Sequence, residues 1–191
     1  MLLNCGVIYS MLHMIRRILD ILSSWKVLLL STSLIFCFLT PAKAVDITFE
    51  WYGCNLVVSN LMVSSAESYE TVPCGLEEGE LAYIDRNYIF TYVPGYLLGA
   101  TYIKTANDDK GSTGTDFLSF DVNQDVTVYV AHDSRITDKP AWLSSFTDTG
   151  DNLSTNDASL SIYAKDFPAG TITLGGNEAS SMYSVIVVPL Q

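Results

Sequence analysis

Apolar and polar residues alternate at a period of two along most of the chain beyond residue 44. The clearest stretch is 122–130, where valines occupy one parity and polar residues the other, with Tyr129 among the latter. Such alternation is typical of a β-strand with one buried face. We therefore predict a central strand here, with the valines in the core and Tyr129 on the opposite face.

The same pattern predicts further short strands separated by turn residues. They lie at 45–52, 55–63, 68–72, 81–84, 88–93, 99–105, 116–120, 160–165, 171–174 and 182–188. The segment 147–157 is rich in Asp, Gly, Asn, Ser and Thr, so we predict a loop there. Many short strands with regular turn signals favour an all-β fold, a single antiparallel β-sandwich of the jelly-roll kind.

A basic and then apolar segment precedes these strands. Arg16, Arg17 and Lys26 are followed by an apolar run at 27–39, which ends before Ala44 in an A-x-A pattern. This order predicts a secretory signal peptide over 1–44, a single domain over 45–191, and an extracellular or periplasmic protein. The alternative is an uncleaved membrane anchor, which is disfavoured because the run is shorter than the roughly 20 apolar residues that span a bilayer.

The formal net charge of −11 mixes two segments of opposite character. Removing the four basic residues and the one acidic residue of the leader from the totals of 10 and 21 leaves 6 basic and 20 acidic residues, a net charge of −14. Such a surface repels nucleic acids and anionic membranes, so neither is expected as a partner after cleavage of the leader.

Two cysteines, Cys54 and Cys74, remain beyond the leader. An even pair in an oxidising compartment predicts a disulfide, which would close a loop of about 20 residues and contribute about 3 kcal/mol. A zinc site is not expected, because the mature segment has one histidine, His132, and no C-x-x-C spacing.

The end of the central strand brings together the candidate ligand-binding residues. Asp133 and Arg135 share a face if the period persists, and they either bind a ligand or form a pair that pins the loop. Trp142 either stacks on a sugar ring or plugs the end of the sandwich, and Tyr129 is a surface platform. We take these four residues as the candidate carbohydrate site and interpret His132 as an ordinary loop or edge histidine.

A second candidate site is the run Asn107, Asp108 and Asp109, whose oxygens suit a structural calcium ion. Because the D-x-D-x-D-G spacing is missing, the alternative is a solvated turn. No other cofactor is expected. Catalytic residues are not expected either. A serine hydrolase is disfavoured because His132 is the only histidine beyond the leader and the sequence has no G-x-S-x-G motif to present a nucleophile. A glycosidase pair is not indicated, because the many Asp residues single out no two carboxylates. We therefore expect a protein that is not an enzyme.

Several blocks of the mature chain resemble an accessory β-sandwich module of large secreted bacterial proteins. The blocks are YIDRNY at 83–88, GATYIKTANDDK at 99–110, VYVAHDSR at 128–135, KPAWL at 139–143, FTDTG at 146–150, KDFPAG at 165–170 and LGGN at 174–177. The resemblance covers roughly 58–189, and such modules often lie beside polysaccharide lyase or glycoside hydrolase domains.

This resemblance implies a secreted, non-catalytic module that binds a polysaccharide or a cell-surface glycan, with polysaccharide-degrading enzymes as further partners. Two alternatives stay open. One is a structural or adhesive module with no sugar ligand, and the other is a cryptic polysaccharide lyase or hydrolase.

Overall fold

A computed structural model describes residues 55–190. The leader, the first predicted strand and Cys54 lie outside the described residues. The signal peptide, the domain boundary and the disulfide between Cys54 and Cys74 therefore stay predictions. Within 55–190, no helix is both long enough and apolar enough to cross a membrane.

The described part of the chain contains ten strands and three short 3-10 helices. The strands are β1 Val58–Val63, β2 Glu70–Val72, β3 Phe90–Tyr92, β4 Thr101–Lys104, β5 Leu118–Val122, β6 Val126–Asp133, β7 Thr147–Thr155, β8 Ser159–Phe167, β9 Gly170–Leu174 and β10 Ser184–Pro189. The 3-10 helices are Gly95–Leu97, Asn107–Gly111 and Ala141–Ser145.

All strand pairs are antiparallel and form two sheets. The small sheet has the order β1-β5-β9, and the large sheet has the order β2-β4-β10-β6-β8-β7-β3. The short edge strands of the large sheet, β2 and β3, have three residues each. The predicted fold class, an all-β antiparallel sandwich, is confirmed.

Strand β6 lies at the centre of the large sheet and has two different faces. Its valines are buried, and the register aligns Val130 with Val185 of β10, which in turn aligns with Ile103 of β4. The ring contact between Tyr69 and Phe117, with centroids 6.5 Å apart, joins this side to the small sheet. Each buried valine contributes roughly 1.5–3 kcal/mol.

The other face of the large sheet contacts side chains of the chain between β2 and β4, which includes the edge strand β3. Tyr129 aligns with Ile186 and then with Tyr102, whose ring packs edge to face on Phe90 at 5.6 Å. We call this the outer face. Because the large sheet has apolar contacts on both sides, residues 184–187 of β10 are buried without alternation.

Several elements differ from the sequence prediction. The predicted strand at 81–84 is wrong, because within it Leu81 and Tyr83 form only isolated bridges, with Ile89 and Thr105.

The predicted strand at 122–130 is wrong at its start, because Val122 ends β5 and a turn at 123–125 precedes β6. The four-residue step from Val122 to Val126 keeps the same parity, so the turn does not interrupt the alternation.

The predicted loop at 147–157 is also wrong, because most of it is strand β7. This strand carries an irregularity between Asp148 and Asn152, where Gly150 has a φ of 77°. The bulge explains the turn-like composition, since glycine adopts this backbone conformation without strain.

Candidate functional site

The structure joins Asp133 and Arg135 directly to each other. The Asp133 side chain is only 1% exposed, and Arg135 donates from Nε to Oδ1 at 3.0 Å and from Nη2 to Oδ2 at 2.6 Å. Arg135 also donates to Asp157 at 2.9 Å. Burial acts to raise the pKa of Asp133, but the hydrogen bonds from Arg135 outweigh it and lower the pKa. The pair fixes the loop after β6 to the connection between β7 and β8.

His132 is not a loop or edge histidine, so that interpretation is wrong. It lies within β6 on the same face as the valines, and its side chain is fully buried. Lys139 Nζ lies 3.1 Å from His132 Nδ1 and donates to the Asp133 carbonyl at 2.8 Å. His132 Nδ1 also lies 3.4 Å from the Asp133 carbonyl oxygen, and His132 Nε2 has no hydrogen-bond partner within 55–190.

The same environment holds this histidine neutral. Burial lowers the pKa of His132 from 6.5 to about 4, and the charge of Lys139 acts in the same direction. The backbone carbonyl and the carboxylate of Asp133 act in the opposite direction but do not compensate. The imidazole is therefore a fixed neutral group at physiological pH.

Trp142 is half-buried and closes one end of the sandwich. Its ring makes edge-to-face contacts with Phe146 at 5.7 Å and Tyr183 at 5.5 Å, and Nε1 donates to the Gly176 carbonyl at 2.8 Å. A Cβ on Gly175 would lie 2.3 Å from the indole. These contacts match the plug interpretation, and a role of Trp142 in sugar binding stays a prediction.

The three residues of the candidate calcium site have separate protein partners. Asn107 Oδ1 accepts from the Met182 backbone at 3.1 Å, Asp108 pairs with Arg86, and Asp109 accepts from a serine at 2.7 Å. Among the described residues, no cluster of three or more His, Cys, Asp or Glu side chains could hold a metal ion. Calcium binding stays a prediction.

Tyr129 is half-buried on the outer face, beside an exposed tyrosine that the sequence did not indicate. Tyr96 lies in the first 3-10 helix, and the two ring centroids are 5.9 Å apart. Across the sheet, Tyr129 aligns with Ala164 of β8, which aligns with Thr147 of β7. A shallow depression of about 320 Å³ is lined by Ser145, Thr147, Ala164, Lys165 and Asp166.

Of the four predicted ligand residues, the structure brings Asp133 and Arg135 together, whereas Trp142 lies at one end of the sandwich and Tyr129 on the outer face of the large sheet. Tyr96 and Ala164 were not predicted, because their proximity to Tyr129 depends on cross-strand register and on the loop over the outer face. The proline and glycine before Tyr96 were the available signal for an exposed turn that presents an aromatic ring.

The chain is similar to parts of known sugar-degrading enzymes. A beta-glucuronidase of Formosa agariphila is 33% identical over 57% of this chain and 12% of that protein. The structure of a beta-glucuronidase from glycoside hydrolase family 2 has a TM-score of 0.64 at 26% identity, covering 70% of this chain and 15% of that one.

A GH138 enzyme targeting pectin rhamnogalacturonan II has a TM-score of 0.51 at 16% identity, over 71% of this chain and 17% of that enzyme, which shows a shared fold. No protein-family model matches the chain.

These findings correct one expectation and support another. The expectation that the protein is not an enzyme is wrong, because the matches to beta-glucuronidases relate it to glycoside hydrolases. The chain spans 12% of the curated relative and 15% of the solved beta-glucuronidase. The expectation of a carbohydrate-related protein is supported, and the chain is similar to a region of sugar-degrading enzymes.

Proposed function

We propose that this chain is a carbohydrate-binding accessory module of a secreted glycoside hydrolase-type protein. The observation that carries the proposal is the likeness of the chain to beta-glucuronidases in both sequence and fold. The sequence match has 33% identity over 57% of the chain, and the structural match has a TM-score of 0.64 over 70% of the chain. The ligand would be a polysaccharide or a glycan. By binding it, the module would keep the substrate close to the catalytic domain of the complete protein.

The surface chemistry supports a sugar ligand. Small-molecule sites combine aromatic rings with a few polar groups that fix orientation. The outer face offers such a combination around Tyr129, whose ring lies beside that of Tyr96 and whose register partner Ala164 lines the depression. The buried pair of Asp133 and Arg135 is less suited to the task, because its oxygens and nitrogens already bind each other.

A structural or adhesive role is the second candidate. It is favoured by the packing of Trp142, whose ring and indole nitrogen are engaged by protein groups at the end of the sandwich. A module of this kind would use its surface for protein contacts and would show no sugar ligand.

The test is a binding and activity screen of the full chain. Immobilised plant and algal polysaccharides are offered with and without calcium, and hydrolysis of an aryl β-glucuronide is measured in parallel. Retention on at least one polysaccharide supports the proposed function, and a need for calcium in that binding would support the predicted metal site. No retention and no hydrolysis would contradict the proposal and favour the structural role.

A further inference from the structure

Two tyrosine rings form an aromatic surface on the outer face. Tyr96 is 49% exposed, Tyr129 is half-buried, and the planes of the rings are inclined by 50°. Burial raises the pKa of both phenols, with further contributions from Asp151 for Tyr96 and from Asp166 for Tyr129. Both hydroxyl groups therefore stay protonated at neutral pH and can donate hydrogen bonds.

A small residue creates the space beside these rings. Tyr129, Ala164 and Thr147 are direct cross-strand neighbours on β6, β8 and β7. Neighbours in such a row lie about 5 Å apart, so the methyl group of Ala164 leaves a gap between taller side chains. Ala164, the register partner of Tyr129, is one of the residues that line the depression of about 320 Å³.

Oxygen groups surround the rings. The Tyr96 hydroxyl interacts with the side chains of Thr149 and Asp151, which the bulge of β7 presents. Asp166 lies on the same row as Thr127, whose hydroxyl donates to Asp166 Oδ1 at 2.6 Å. Two exposed carboxylates therefore stand beside the aromatic surface, ready to accept hydrogen bonds from hydroxyl groups.

Lys165, the cation among the residues that line the depression, aligns with Val128 and therefore lies on the face of β8 opposite to Ala164. Lys165 Nζ lies 3.1 Å from Ser145 Oγ and 5.5 and 5.2 Å from the ring centroids of Phe146 and Phe167. A ligand carboxylate would meet the negative charges of Asp151 and Asp166 at the tyrosines, which costs binding free energy. A saccharide without acidic groups would bury its apolar face on the rings and offer its hydroxyl groups to the carboxylates.

From this arrangement we infer that Tyr96 and Tyr129 form the sugar-binding surface and that it selects neutral saccharides over uronate-containing ones. This inference rests on the proposed carbohydrate binding and adds its place and its ligand class. Tyr96, Ala164, Asp151 and Asp166 are the specificity-determining residues, and Tyr129 is the central contact.

The test measures binding of the full chain to a neutral β-glucan and to two polyuronates, alginate and polygalacturonate, by affinity electrophoresis. The variants are Tyr96→Ala, Tyr129→Ala and Ala164→Gln, the last of which fills the depression and keeps both rings. Tyr163→Ala is the matched control, because Tyr163 aligns with Val130 and thus lies on the opposite face of β8. Thermal unfolding confirms that each variant is folded.

We expect binding to the β-glucan, with Kd raised about tenfold in each of the three variants and unchanged in the control. Binding that is equal in all variants would overturn the inference and leave carbohydrate binding in place. Retention on the polyuronates alone would overturn the selectivity for neutral saccharides. No binding to any polysaccharide would contradict both the proposed carbohydrate binding and this inference about its site.

Discussion

The imidazole of His132 has a buried position that disfavours its charged form. In the unfolded chain this group takes up a proton near its ordinary pKa of 6.5, whereas in the folded chain it does so only near pH 4. Between these values the unfolded state binds more protons, so the free energy of unfolding falls as the pH falls. Lys139 faces the ring, and Asp133 and Asp148 act on Lys139 in turn.

We expect this histidine to cost on the order of 3 kcal/mol of stability between pH 6.5 and pH 4. Urea unfolding at a series of pH values measures the loss. The His132→Asn variant should be less stable at neutral pH but should show a flatter pH dependence over the same window. An equal slope in the variant would assign the acid sensitivity to other groups.

The two acceptors of Arg135 differ in burial, and this predicts a difference in their contribution to stability. Asp133 is buried at the end of β6, whereas Asp157 is exposed. Asp133→Asn should lower the free energy of unfolding by about 1–3 kcal/mol, because it leaves a buried polar group with weaker partners. Asp157→Asn is the control and should cost less than about 1 kcal/mol. Equal losses in urea unfolding would contradict this assignment.

At the scale of elements, the segment after β9 depends on a close approach between backbone and indole. Gly175→Ala places a Cβ 2.3 Å from Trp142 Cδ1, so the indole or the strand end must move. We expect a loss of about 1–3 kcal/mol in urea unfolding, as is typical of overpacking. Gly95→Ala meets open space and is the matched control. A loss in Gly175→Ala no greater than that in the control would contradict a role of this close approach in stability.

Sequence periodicity predicted the strands whose faces differ in burial, and it failed where other features dominate. The valines of β6 and the alternation of β8 were sufficient to find both strands. β7 was mistaken for a loop, because its bulge at Gly150 needs turn residues inside a strand. β10 is buried on both faces, so its apolar run carries no information on orientation.

The candidate site was only partly predictable for a related reason. Tyr129 was identified because its parity opposes that of the valines, which is a local property. The place of Ala164 and Thr147 beside it follows from register across three strands. Tyr96 lies in the connection between β3 and β4, and no pattern in the sequence places that connection beside β6.

At the scale of the whole molecule, the predicted cleavage of the leader and the predicted disulfide can each be tested by direct chemical analysis of the protein. Protein collected from the culture medium should begin at Val45, as determined by N-terminal sequencing. Peptide mass spectrometry without reduction should find Cys54 joined to Cys74. A Cys54→Ser variant should be less stable by about 3 kcal/mol, and an uncleaved, cell-bound product would support the membrane-anchor alternative.

The two edge strands of the large sheet, β2 and β3, have three residues each, and this limits self-association through the sheet edges. An edge strand exposes unpaired backbone groups that another chain can extend into a continuous sheet. Within 55–190, each of these edges offers only three residues for such pairing, too short a template for a growing fibril. The short edges of the large sheet therefore offer little backbone for pairing with a second copy of the chain.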